Sequence, residues 1–158
     1  MSLLPFFQWC EQSGIGEAIR NSIWLFPLVE AFHLLGLGVI GGAVLIVDLR
    51  LLGIGLGRQP VSQLARDAEP WLIGSLILMI SSGIPLFLSE AIKCYYSFAF
   101  WVKITCLFLV ILFTFTVRRR VLGRADYSTN AWPGKVAALV SLSLWAAVGW
   151  GGRWIGFS

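Results

Sequence analysis

The chain has 158 residues, of which 58% are hydrophobic and only 13% charged, with a mean hydropathy of +0.82. A water-soluble domain runs at about 45–50% apolar and about 25% charged, so this composition leaves too little polar surface to cover a globule in water. The length allows one domain, 1–158. The formal charge of +4 is small, and where the basic residues sit carries more information than their sum.

In chain order, the first segment, 3–20, is apolar at Leu3, Leu4, Phe6, Phe7 and Trp9 but too short to cross a bilayer. It lacks a basic start and a small-residue cleavage site, so it does not read as a signal peptide. With Gly14-Ile15-Gly16 as a break, it is expected to form one or two short interfacial helices. Four apolar stretches then follow, at about 23–47, 71–88, 98–117 and 136–157. Each is close to the ~20 residues that span a hydrocarbon core. Their continuous apolarity excludes an alternating membrane barrel. The expected fold is all-α: an integral membrane four-helix bundle with a short interfacial N-terminal helix. Trp24, Trp71, Trp101, Trp132 and Trp154 fall near the span ends, where indole favours the headgroup layer.

Basic residues favour the cytoplasmic side. Arg50, Arg58, Arg66, Arg118, Arg119, Arg120, Arg124 and Lys135 flank the connections between spans one and two and between three and four. Arg20, Lys93, Lys103 and Arg153 lie on the other side. On this asymmetry both termini of a multi-pass protein are expected outside, which is the periplasm if the membrane is the inner membrane of a Gram-negative bacterium. The arginine run is a topology signal lying against anionic lipid and does not point to nucleic acid.

Ionisable groups inside a span are expensive and mark functional candidates. In the first span, Glu30, His33, Gly41 and Asp48 share a stripe about 80° wide, which should face the bundle interior. Lys103 and Arg153 are expected at the same end as Glu30. Two readings follow. In one, Glu30, Lys103 and Arg153 form a structural ion-pair network, with Asp48 capping or pairing with an arginine of the 118–120 run. In the other, Glu30, His33, Lys103 and Arg153 hold the anionic or carbonyl group of a cofactor, such as a haem propionate, a quinone or a lipid headgroup. His33, the sole histidine, is also a candidate axial ligand for haem b, with Met79 the one conceivable second ligand. A Glu-x-x-His pair without a second copy argues against a di-metal bundle site.

Cys10, Cys94 and Cys106 form no CxxC motif. Cys10 and Cys94 are either bridged on the outer side or free. Gly38 and Gly42 allow close helix approach, and Gly151-Gly152 either do the same or admit the edge of a flat cofactor. Pro85 should kink or end the second span.

The stretch Trp24-Leu25-Phe26-Pro27, then Glu30 and His33, then Asp48-Leu49-Arg50-Leu51-Leu52-Gly53, resembles a family of small uncharacterised bacterial membrane proteins assigned only a domain of unknown function. Phe100, Lys103 and Gly152-Arg153-Trp154 fit the same pattern, so the resemblance covers about 20–157. It implies four helices and supplies no activity. In that family a second histidine is expected near the end of the third span, where this chain reads Thr116-Val117-Arg118. A looser likeness is to copper-resistance-type membrane proteins.

No nucleophile elbow, phosphate-binding loop or zinc-protease motif is present, which argues against an enzyme. Three functions remain as expectations. The first is a non-catalytic accessory or structural subunit that packs against other membrane subunits or itself. The second is a small redox protein binding haem b or quinone near His33. The third is a metal-handling or permease-like component.

Overall fold

A computed structural model describes residues 3–55, 59–125 and 132–155, with the side chains at 124 and 125 excepted. Arg58, the side chain of Arg124 and the end of the fourth predicted span at 156–157 lie outside the described residues. Two short helices, α1 (Leu4–Glu11) and α2 (Gly14–Asn21), precede the long helix α3 (Leu25–Leu52). Then come α4 (Val61–Ser89), the short α5 (Ala91–Tyr96), α6 (Phe98–Phe113), a π-helical turn at Thr114–Arg118, α7 (Arg119–Ala125) and α8 (Trp132–Ile155). The described residues contain no strand. Four helical runs are long and apolar enough to cross a membrane: Leu25–Leu52, Val61–Ser89, Phe98–Gly123 and Trp132–Ile155.

The spans are apolar on nearly every face, so burial is set by neighbours rather than by an amphipathic stripe. The most extensive packing is between α3 and α4, then α6 with α8, with α3 also lying on α8. Ile40, Val44, Leu72, Met79, Val110, Trp145 and Val148 form the central core. Large side chains such as Phe108, Ile77 and Leu139 stay outward, as lipid contact permits.

α3 ends where the sequence ends it. Gly53 has φ +82°, and the N–H groups of Gly53 and Ile54 donate to the carbonyls of Arg50 (3.1 Å) and Leu49 (2.9 Å). This is the paired bonding that closes a helix on a left-handed glycine. Arg50 then donates from Nε to the Gln59 carbonyl (3.1 Å) and so spans the connection to α4.

Three expectations need correction. α4 starts at Val61, well before the expected 71, because the polar turns Ser62–Glu69 extend the helix beyond its apolar part. It also runs through both Pro70 and Pro85 to Ser89, so Pro85 does not end it. Packing on α3 holds both flanks in helical register while each proline removes one backbone donor. The N-terminal segment breaks at Gln12-Ser13 rather than at Gly14–Gly16, with the Ser13 hydroxyl accepting from the Gly16 N–H (3.3 Å).

That N-terminal hairpin is fastened to the bundle. Arg20 donates to the Ser89 carbonyl (3.0 Å), and Glu11 accepts from the Ile92 N–H (2.6 Å). Gly16 presses its α-carbon against the Leu88 carbonyl so closely that a side chain has no room. Phe7 stands in an aromatic cluster with Phe87 (5.4 Å), Tyr95 (5.1 Å) and Phe100 (6.4 Å).

Candidate functional site

At the end of the bundle that carries α1, α2 and α5, the long helices part around a cavity of about 290 Å³. Glu30 and His33 from α3, Met79 and Gly83 from α4, Lys103 from α6 and Arg153 from α8 all line it. The tertiary fold thus brings the four residues singled out as cofactor-binding candidates to one space. Phe26, Leu37, Phe87, Phe100 and Val148 supply apolar wall, and Glu90 and Cys94 add polar groups from the α4–α5 junction.

Glycines create the geometry. A Cβ at Gly83 would meet His33 Cε1 at 3.2 Å, so the imidazole lies directly on the backbone of α4. A Cβ at Gly151 would meet the Lys103 Cβ at 3.1 Å, and one at Gly152 the Lys103 Nζ at 3.5 Å. The lysine stem therefore runs along the bare face of α8. Gly151-Gly152 thus make room for the lysine side chain.

The hydrogen bonds define the histidine. The Ser82 hydroxyl has one proton and gives it to the Leu78 carbonyl (2.6 Å), so its oxygen accepts from His33 Nδ1–H (3.1 Å). The Nε2 lone pair then faces the Lys103 ammonium, 3.4 Å away, which donates to it. An axial haem ligand must offer that lone pair to iron, and here an ammonium occupies the approach. Met79, the conceivable second ligand, lines the cavity but is almost wholly buried in the packed core. This donor set does not fit a haem. The described residues also contain no group of three or more His, Cys, Asp or Glu side chains able to hold a metal ion.

The expected ion pairs from Glu30 and Lys103 to each other or to Arg153 are not made among the described residues. Glu30 makes no ion pair among the described residues, and neither does Lys103. Glu30 shares its helical face with Asp48 but is exposed, whereas Asp48 is fully buried. The difference is position along the helix: Asp48 is enclosed by its neighbours, and Glu30 sits at the parted end.

Asp48 pairs with the first arginine of the 118–120 run. Arg118 donates from Nη2 (3.0 Å) and Nε (3.2 Å) to Asp48 Oδ1, with both side chains buried. The π turn immediately precedes α7; its wider coil changes the phase of the chain and turns Arg118 inward while Arg119 and Arg120 stay exposed. Hydropathy alone does not signal that turn.

Cys10 and Cys94 are free thiols, both buried. Burial, with the Glu90 carboxylate beside it, pushes the Cys94 thiol up to about 11. It lines the cavity as a neutral group.

Sequence reasoning missed Ser82, Gly83 and Cys94 as members of this site. Ser81-Ser82-Gly83 inside an apolar span was the available signal, since polar or small residues there mark packing or a cavity.

The family model for the DUF6644 family, a family of unknown function, matches residues 6–158, and the chain belongs to that family. No curated protein and no solved structure matches it.

Proposed function

For this member of the DUF6644 family, a multi-pass membrane protein, we propose a non-enzymatic binding role in the bacterial inner membrane. In this reading the cavity at the Glu30 end holds a small amphiphile by one acceptor group, a carboxylate or a quinone carbonyl, placed on Lys103. The observation that carries it is the lysine itself: an ammonium within a membrane span, faced by a neutral imidazole at 3.4 Å and by no carboxylate of the described residues within ion-pairing distance. Such a charge is costly in this setting, and an acceptor from outside the chain would offset the cost. Phe26, Leu37 and Val148 suit an apolar tail. Glu30 and Glu90 on the cavity wall disfavour a ligand with several negative charges. A non-catalytic role is supported by the engagement of both His33 nitrogens and by the neutral Cys94 thiol, which leave no poised base or nucleophile.

The test is tryptophan-fluorescence titration of the purified protein in mild detergent with a short-chain ubiquinone and, in parallel, with dodecanoate. One of the two should saturate, and Lys103→Met should weaken it roughly tenfold, the worth of a charge-assisted hydrogen bond. Equal affinity in the variant, or a Soret band in the spectrum of the native protein, would reject the reading.

A second reading, as an accessory subunit that packs laterally on other membrane proteins or on itself, is favoured by a specific feature of α3. A Cβ placed at Gly38, Gly41 or Gly42 meets, beyond its own turn of helix, no atom of the described residues within 4 Å. The close approach expected of Gly38 and Gly42 is therefore not used inside the bundle, where Gly36 instead packs against the Ser75 carbonyl (3.3 Å). Small residues spaced by four on an open membrane face suit a second helix. Gly38→Leu and Gly42→Leu should leave the melting temperature unchanged but abolish chemical cross-linking in native membranes. Unaltered cross-links would remove this reading. Periplasmic termini, proposed from the arginine distribution, predict an active alkaline phosphatase when it is fused after Ser158.

A further inference from the structure

A second cavity, of about 310 Å³, lies at the opposite, arginine-rich end. It is walled by the first turns of α4 and by the π turn with α7. Arg66, Arg118 and Arg119 line it with a single carboxylate, Glu69. That carboxylate is already engaged by Arg119 (2.7 Å), and Arg118 is held by Asp48 behind the wall (3.0 Å). Arg66 makes no ion pair among the described residues, so its charge is the uncompensated one.

A second observation is independent of charge. Thr114 is more than nine-tenths buried and lines the cavity, and its hydroxyl has no hydrogen-bond partner among the described residues. A buried hydroxyl left unpaired is uncommon and costs free energy, so a partner from outside the chain is the simplest account. Thr114 also begins the π turn, a backbone irregularity found frequently at functional sites. The remaining wall, with Leu72, Phe115 and Leu122, is apolar.

We propose that this cavity binds a phosphate group, with Arg66 as the free cation and the Thr114 hydroxyl as a neutral donor. Arginine forks match phosphate oxygens well, and basic pockets between membrane helices suit phospholipid headgroups. The same chemistry serves a phospholipid phosphate or free inorganic phosphate, and the apolar wall gives acyl chains a place that the free ion does not need.

The experiment is native mass spectrometry of the full chain released from neutral detergent micelles, titrated separately with dioleoyl phosphatidylglycerol, dioleoyl phosphatidylcholine and inorganic phosphate. Phosphatidylglycerol should bind in preference to phosphatidylcholine, and both Arg66→Gln and Thr114→Val should weaken it, the arginine change roughly tenfold. Arg66 is exposed, and Thr114→Val keeps shape while removing an unpaired hydroxyl, so neither variant should unfold the bundle. Inorganic phosphate bound instead, and lost in the same variants, would keep the site and make its source the soluble ion. Equal binding of the two lipids without phosphate binding, no binding of any probe, or wild-type affinity in both variants would overturn the proposal.

Discussion

Lys103 Nζ stands 3.4 Å from His33 Nε2, and no carboxylate of the described chain reaches that ammonium. The two residues are 70 positions apart and meet only because Gly151-Gly152 and Gly83 leave space for the lysine stem and the imidazole. A chain selected for the stability of its empty form would gain nothing from this arrangement. Lys103→Met should therefore leave the ligand-free protein as stable or more so, with a gain of about 1 kcal/mol raising the melting temperature by roughly 2–4 °C. Thermal denaturation in detergent without added ligand measures this, and a marked fall would show the ammonium to be structural.

The Asp48–Arg118 pair should behave in the opposite way. Both side chains are buried and share two hydrogen bonds, so truncating one strands the other. Asp48→Ala or Arg118→Ala alone should cost about 3–5 kcal/mol. The double variant Asp48→Leu/Arg118→Met should recover much of that loss, because two uncharged side chains carry no desolvation penalty. A double-mutant cycle from unfolding in mixed micelles would show strong non-additivity; simple additivity would mean that the pair does not act as a unit.

Gly16 gives a local prediction. A methyl group there collides with the Leu88 carbonyl, which is backbone and cannot swing aside. Gly16→Ala should loosen the N-terminal hairpin at a cost of about 1–3 kcal/mol while sparing the four long helices. Limited proteolysis near Gln12-Ser13 and alkylation of Cys10, buried in the wild type, should both accelerate. Unchanged rates would mean that the hairpin shifts as a whole to accept the methyl.

Cys94 supplies the pH dependence. Its thiol is raised from 9.0 to about 11, first by burial and then by Glu90. A raised folded value means that the native state keeps the proton longer than the unfolded chain does. The associated stability is fully present below about pH 9 and is lost as the pH rises through about 11. The difference in melting temperature between wild type and Cys94→Ala should shift across that window and stay flat between pH 6 and pH 8. Alkylation of Cys94 should be slow at pH 8; rapid labelling there would contradict a buried neutral thiol.

Much of the architecture was legible because hydrocarbon is an exacting solvent. Four apolar runs of spanning length permit only helices, and the left-handed Gly53 closes the first of them where the Asp48–Gly53 stretch ends. Pro85 does not end its span, since local propensity gives way to packing once a helix lies along a neighbour.

The candidate site was legible only as a set of residue types. Cost alone marks Glu30, His33, Lys103 and Arg153, because an ionisable group in a span needs a reason. Who meets whom is another matter. Opposite charges at one end of the bundle suggested an ion-pair network, yet Lys103 reaches a histidine and Glu30 pairs with none of the described cations. Helical phase and hydropathy place a residue on a face and at a depth; they do not say which neighbouring helix presents a glycine there. By itself, then, the sequence determined the solvent, the helices and the depth of each polar group, through transfer free energy and chain length. The tertiary structure decided the partners, because a few glycines and one π turn set which side chains have room to touch.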